Sequence, residues 1–423
     1  MEVNAILSLC IFIIVMILII SEKINRTVAA LCGASIVILI HIFSGDTALG
    51  YIDFNTIGVL IGMMIIVGII KNTGIFEYLA VIAAKRAKGE PWKIIVSLCL
   101  ITALTSALLD NVTTVLLIVP MTFVITQTLE LDPIPFLIPE ILASNIGGTS
   151  TLIGDPPNIM IGSEAGLDFM DFIINLLPVI IVIFIATFVV LKFNYRNKLI
   201  VAEDKKKLIM EMDEKVCIKN RVLLNKSLFV MAIVIIGLFF HSEFGYASAV
   251  VALSGAALLL LISGENIDEA MMSVEWPTIF FFGGLFIMVG ALEEVGLIEK
   301  LAKVIVGLTG NNLLFTGILI IWFSAVFSAF LDNIPFVTTL IPLIKAMGAA
   351  GLNITPLWWA VSLGACLGGN GTLIGASANV VVAGLAEKYG YKLTFGKYFR
   401  TGFPLMILSI VLCTIYLVVF YLI

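Results

Sequence analysis

Thr105-Ser-Ala-Leu-Leu-Asp-Asn111 and Phe327-Ser-Ala-Phe-Leu-Asp-Asn333 are nearly the same heptapeptide, set 222 positions apart. Pro120 and Pro342 keep that spacing, as do Gly62 and Gly284, Gly68 and Gly290, and Gly74 and Gly296. Gly147-Gly-Thr-Ser-Thr-Leu-Ile-Gly154 then matches Gly368-Gly-Asn-Gly-Thr-Leu-Ile-Gly375 at a spacing of 221, and Asn158 pairs with Asn379. Chance similarity between two apolar sequences would not hold one register so far, so the chain reads as two copies of one unit. The first copy is 1–195 and the second 225–423. The polar stretch 196–224 between them contains Glu203-Asp204-Lys205-Lys206-Lys207 and reads as a linker.

Composition decides where such a unit can live. Of 423 residues, 61% are apolar and 13% charged, and mean hydropathy is +1.15. A soluble domain carries about 25% charged residues, and a soluble body this size could not hide so much apolar surface. Disorder is excluded by the same numbers. A net charge of −5 with few basic residues argues against nucleic acid as a partner. The expected fold class is an all-α polytopic membrane protein with the lipid bilayer as its main partner. The six cysteines show no CxxC pairing, and there is no HExxH, GxSxG or P-loop, so neither an enzyme nor a metal centre is expected. No cofactor is implied beyond a coupling ion, H⁺ or Na⁺. Glu2 and the missing cleavage motif make the first apolar run a membrane helix rather than a signal peptide.

A spanning helix needs about 20 mainly apolar residues. Runs at 4–20, 27–43, 55–71, 171–192, 225–241, 246–263, 277–293 and 401–423 qualify or nearly so. Segments 94–127 and 312–348 fall short of the roughly 40 residues that two full spans need; they read as re-entrant hairpins with tips at Ser106–Asn111 and Ser328–Asn333, with two short full spans as the alternative. Segments 136–165 and 356–388 read as spanning helices broken at their glycines. Each copy then has five crossings, one of them broken, plus one hairpin. With both termini outside and the central basic loop cytoplasmic, 21 of the 24 basic residues lie inside, Lys23 and Arg26 among them. An odd number of crossings inverts the second copy, the arrangement of many secondary transporters.

The interruptions carry the candidate site. An Asp inside an apolar run is tolerable only beside donors or in a polar cavity. Asp110-Asn111 and Asp332-Asn333 also suit the starts of half-helices. Gly147, Gly148, Gly368 and Gly369 free the backbone from helical geometry, and Thr149, Ser150, Thr151, Asn370 and Thr372 add oxygens. Thr113, Asn145, Asn158 and Asn379 complete the set. Asp155, whose repeat counterpart is Ala376, is either the cap of the second half-helix or an ion-coupling carboxylate.

At SALLDNVTT (106–114), SNIGGTSTLIGDPPN (144–158), SAFLDN (328–333) and GGNGTLIGASAN (368–379) the chain resembles the ion transporter superfamily, and within it the ArsB and P-protein branch, NhaD-like proteins included. The resemblance covers essentially the whole chain. It implies a scaffold with a mobile transport unit, elevator-like alternating access, a homodimer and a plasma-membrane location. The function it implies is proton-coupled efflux of a small inorganic solute, arsenite or antimonite, with arsenical resistance as its consequence. A Na⁺/H⁺ antiporter is the alternative, followed by a P-protein-like anion channel or a carboxylate transporter. The sequence neither implies nor rules out an ATPase partner.

Overall fold

The computed structural model describes residues 2–21, 23–195, 199–310 and 312–423, and residues 196–198 of the expected linker lie outside them. The first copy folds as α1 (Glu2–Ser21), α2 (Arg26–Leu39), α3 (Gly45–Gly50), α4 (Phe54–Lys71), α5 (Ile75–Arg86), α6 (Pro91–Ser106), α7 (Asn111–Thr128), α8 (Ile134–Gly148), α9 (Pro156–Ala165) and α10 (Phe169–Tyr195). A linker helix α11 (Glu203–Glu211) follows. The second copy repeats the order as α12 (Arg221–Phe240), α13 (Ser248–Ser263), α14 (Ile267–Met272), α15 (Trp276–Glu294), α16 (Leu297–Thr309), α17 (Leu313–Phe330), α18 (Asn333–Ala349), α19 (Thr355–Gly368), α20 (Ser377–Lys388) and α21 (Phe395–Leu417). Each helix of the first copy thus has a counterpart eleven places on. Gly74 and Gly296 hold the same left-handed turn before α5 and α16, with φ of 81° and 73°. Among the described residues, 8 helices are long and apolar enough to cross a membrane.

The two copies interlock through reciprocal contacts. α2 packs against α15, and α4 against α13. A Cβ at Gly62 would lie 2.6 Å from the Ala252 backbone, and one at Gly284 would lie 2.8 Å from the Ala30 backbone. Ala30 and Ala252 are themselves repeat partners, so one close approach is made twice. The contacts also set direction. Thr27 donates to the Pro277 carbonyl at 2.7 Å, while Gly33 approaches Met288, so α2 and α15 run parallel. Tyr51, just before α4, donates to Glu294 at the far end of α15, and Gly68 near the end of α4 meets Ser273 beside the start of α15. α4 therefore runs against α2 and α15. Its parallel partner α13 is the counterpart of α2 yet runs the opposite way, as an inverted repeat requires.

The second body holds the interrupted segments. α6 lies along α8, with Gly147 against the Ala103 backbone; α17 lies along α19, with Gly364 against Ile321 and Gly368 against Ala325. Each pair runs parallel and meets at the break, where the chain of α6 or α17 turns back into α7 or α18. The hairpins thus reach the breaks and no further. Their arms are 16–18 residues, and one arm of each, α7 and α17, is among the 8 helices long and apolar enough to cross a membrane. The linker is more ordered than a solvated loop. Lys85 pairs with Glu214 at 2.6 Å and donates to the Met212 carbonyl at 2.9 Å, and Ile209 of α11 is buried. This pairing holds the Glu214 carboxyl below the usual carboxylate range.

Gly62→Ala and Gly284→Ala should each destabilise the protein by about 1–3 kcal/mol through overpacking, read as a lower melting temperature in detergent. Gly283→Ala, where a Cβ meets nothing within 4 Å, should leave it unchanged. Equal melting of all three would remove the interlock.

Candidate functional site

A helix broken inside a bilayer leaves N–H and C=O groups that no water reaches, and they must be satisfied by protein. Most of the predicted site residues do this. Thr149 donates to the Asn145 carbonyl, Ser150 to Gly147 and Thr151 to Ala107 of the hairpin tip. Thr372 donates to Ala329, the matching contact in the second copy. Asn158 donates to the carbonyls of Thr149 and Thr151 at 3.1 and 2.9 Å, and Asn379 to those of Gly369 and Thr372 at 2.8 and 2.9 Å. Gly148 and Gly154 bring two strands of the first break together, since a Cβ on either would stand 2.5 Å from the other's carbonyl oxygen. The expected role of these groups was to line a solute path. In this structure the hydroxyls of Thr151 and Thr372 join break to tip, those of Thr149 and Ser150 bond back to the end of α8, and the amides of Asn158 and Asn379 hold the carbonyls of their own breaks.

The two stitched centres are joined by asparagines. Asn145 donates to Asn370 at 2.9 Å and to Asn379 at 3.0 Å, and accepts from Asn111 at 3.2 Å. Asn158 accepts from Ser362 at 2.6 Å. Asn333 of the second tip donates to both oxygens of Asp155, at 3.1 and 3.3 Å. Asp155 stands at the start of α9, but its side chain makes no capping hydrogen bond. It is fully buried and reaches across to the other copy instead.

The tip aspartates, alike in sequence, are unlike in surroundings. Asp110 accepts from the Thr113 amide at 2.8 Å and the Thr113 hydroxyl at 2.5 Å. At the position equivalent to Thr113 the second copy has Pro335, which has no N–H or hydroxyl to give. Asp332 takes other donors: Arg26 Nη1 at 2.8 Å and Ser377 at 2.7 Å, with Arg26 also 2.6 Å from Ser377. The counterparts of Arg26 and Ser377 are Ser248 and Pro156, so the first copy cannot build this cluster. Arg26, counted above as a loop charge that marks sidedness, belongs to this centre.

One small cavity, about 20 Å³, gathers Asp110, Asn111, Asp155, Asn333, Arg26 and a residue the sequence reading missed, Glu275. It has room for about one water. Glu275 precedes α15 and accepts from Thr278 at 3.1 Å. Its signal was present in the repeat, because Asp53 occupies the equivalent position before α4. Among the described residues lining the cavity, Arg26 is the only guanidinium or ammonium, and it is already paired. A wider cleft of about 290 Å³ opens beside it, walled by Met16, Ile20, Phe330 and Val381, with Arg26, Asp332 and Ser377 at its polar end.

The CitMHS family, described as a citrate transporter, matches residues 16–364. An uncharacterized transporter of Mycobacterium tuberculosis is 43% identical over 98% of both chains. The human P protein is 34% identical over 95% of this chain, which spans 58% of the P protein's length. Among solved structures, the YdaH transporter of Alcanivorax borkumensis, whose topology is reported as unusual, aligns over 98% of both chains with a TM-score of 0.58 at 14% identity, a likeness of fold.

Arg26→Gln and Asp332→Asn should each destabilise the protein, and the double variant should lose less than the sum. An interaction energy of about 1–2 kcal/mol is expected for directly contacting groups, measured as a double-mutant cycle of detergent melting. Strict additivity would mean the pair is not coupled.

Proposed function

The chain belongs to the CitMHS citrate-transporter family and is a secondary transporter of the CitMHS and P-protein type; on that premise we propose that it exports a small inorganic solute, arsenite or antimonite, in exchange for protons. One observation carries this reading. Asp110, Asp155 and Glu275 face a single cavity whose only cation among the described residues, Arg26, is already neutralised by Asp332. A citrate trianion would meet three carboxyls and no free positive group. An uncharged, hydroxyl-rich solute such as arsenous acid can hydrogen-bond to carboxyls and amides, and a carboxyl without an ion-pair partner can carry a proton. The tip aspartates therefore take different roles: Asp110 carries the proton, and Asp332 holds Arg26. The same acid-rich cavity also favours a second reading, Na⁺/H⁺ antiport, because carboxyls and exposed carbonyls are the ligands of a hard cation.

Alternating access finds support in an asymmetry. α4 packs on α9 and α15 on α18, but the equivalent pairs α15 with α20 and α4 with α7 make no comparable contact among the described residues. Asp53 before α4 accepts from Ser163 of α9 at 2.9 Å. The counterpart of Ser163 is Gly384, yet Glu275 shares its cavity with Ser377, seven residues earlier. At 1.5 Å per residue that is a slip of about 10 Å between the two bodies. Exchanging the contacts of the two copies gives the opposite-facing state. We further assign both termini to the outside and the basic linker to the cytoplasm, with a homodimer as the working assembly in the plasma membrane.

Internal pH of proteoliposomes, read with a trapped dye, tests the coupling. A protein-dependent change on adding trivalent arsenic, absent with Na⁺ and reduced to background in Asp110→Asn, is the expected result. A change with Na⁺ alone would replace arsenite by the cation, and wild-type signals in Asp110→Asn would remove its role.

Thiol cross-linking tests the movement. Phe286 and Thr338 line one cleft here, and Met64 and Leu116 are their counterparts. In a background without native cysteines, Phe286→Cys with Thr338→Cys and Met64→Cys with Leu116→Cys should both cross-link during turnover, each arresting transport. Failure of the second pair to link under all conditions would argue against the exchange.

A further inference from the structure

Glu140 lies in the middle of α8, outside the central cavity, and is 1% exposed. Its Oε1 accepts from the Thr122 hydroxyl of α7 at 2.6 Å, and its Oε2 has no partner among the described residues. No ion pair involves it among those residues. Cys99 on α6 is the titratable group facing it, and Tyr195 on α10 lies near Cys99 in turn. From the remaining helices packed on α8, no charged group acts on it among the described residues. A charged carboxylate with a bare oxygen in such a place is costly, and membrane-embedded acids mark ion and proton pathways.

The internal repeat supplies the control. Glu140 corresponds to Val361 on α19, and Thr122 corresponds to Ile344 on α18, both fully buried in the equivalent helix crossing. The fold therefore packs this crossing without a polar pair, and the carboxyl of the first copy is not a requirement of architecture. Hydroxyls flank it in both directions. Thr126 donates to the Thr122 carbonyl at 2.8 Å toward the base of the hairpin. One turn along α8 toward the centre, Ser144 donates to the Asn111 carbonyl at 3.1 Å. Thr114, two turns before Thr122 on α7, has a buried hydroxyl without a partner among the described residues.

We propose that Glu140 is a second proton-binding site of the carrier, distinct from the central carboxyls, lying on a polar line between the base of the first hairpin and its tip. The proton binds at Oε2. Only an O–H bond forms or breaks, and the site gains or loses one charge. The neutral form satisfies the dry surroundings of this state, and release requires the line to open to water. The assignment does not depend on which solute is carried.

Infrared difference titration of the purified full-length protein in lipid tests it without a transport substrate. A component of the protonated-carboxyl C=O absorption should be present at neutral pH, vanish reversibly on alkalinisation, and be missing from Glu140→Gln while the components of the central carboxyls remain. In proteoliposomes, Glu140→Gln should also flatten the pH profile of the dye-detected exchange. The double variant Glu140→Val with Thr122→Ile, which copies the pair of the second repeat, should fold and melt no lower than the native protein. A spectrum that is the same in Glu140→Gln as in the native protein, or a Glu140-dependent component insensitive to pH, would overturn the proposal. So would a loss of folding in that double variant, which would make the Glu140–Thr122 pair a structural requirement. Loss of all exchange with an intact Glu140-dependent band would instead count against the transport reading and leave this site standing.

Discussion

Two helices are broken where no water can reach them, and the rest of the centre follows from that constraint. Each break exposes backbone groups that only protein can satisfy. The hairpin tips bring carbonyls and helix starts to the breaks, and hydroxyls of Thr149, Ser150, Thr151 and Thr372 close the gaps. Asn158 and Asn379 bind the carbonyls of their own breaks, and Asn145 ties one centre to the other. A broken helix alone would be unstable in lipid; two that share asparagines form a core cross-linked by side-chain hydrogen bonds, with carboxyls at its edge.

On this nearly symmetric frame the chemistry is asymmetric. Asp155 faces the second copy where that copy has Ala376, and Asn145 stands opposite Cys366 in the alignment. Thr113 is replaced by Pro335, Pro156 by Ser377 and Ser248 by Arg26, and those three exchanges turn one capped aspartate into an ion pair. Duplication supplies the architecture. Divergence at a few positions supplies charge.

The bilayer shapes the outer layer by the opposite rule. α1 buries little of its apolar surface and presents Ile6, Ile13 and Ile17 outward, as a lipid-facing helix must. The inner helices α8 and α19 are buried all round, which is why polar groups there are paired almost without exception. The linker, outside the membrane, is held by ordinary salt bridges such as Lys85–Glu214 and Lys205–Glu130.

Hydropathy and the glycine clusters determined the all-helical membrane class and marked where helices stop, because spans and helix breakers act locally and leave their mark in the residues themselves. The same local signals located Asp110, Asp332 and Asp155. What those residues bind was not legible. Arg26 and Asp332 are 306 positions apart, Asn333 and Asp155 178, and nothing in either neighbourhood announces the other. Glu275 and Arg26 entered the centre because inversion of the second copy brings the starts of α2 and α15 to the same end. The backbone carbonyls that the hydroxyls of Thr149, Ser150, Thr151 and Thr372 meet were equally illegible. Partnership across the two copies is a property of packing, and only the folded arrangement of the repeats decides it.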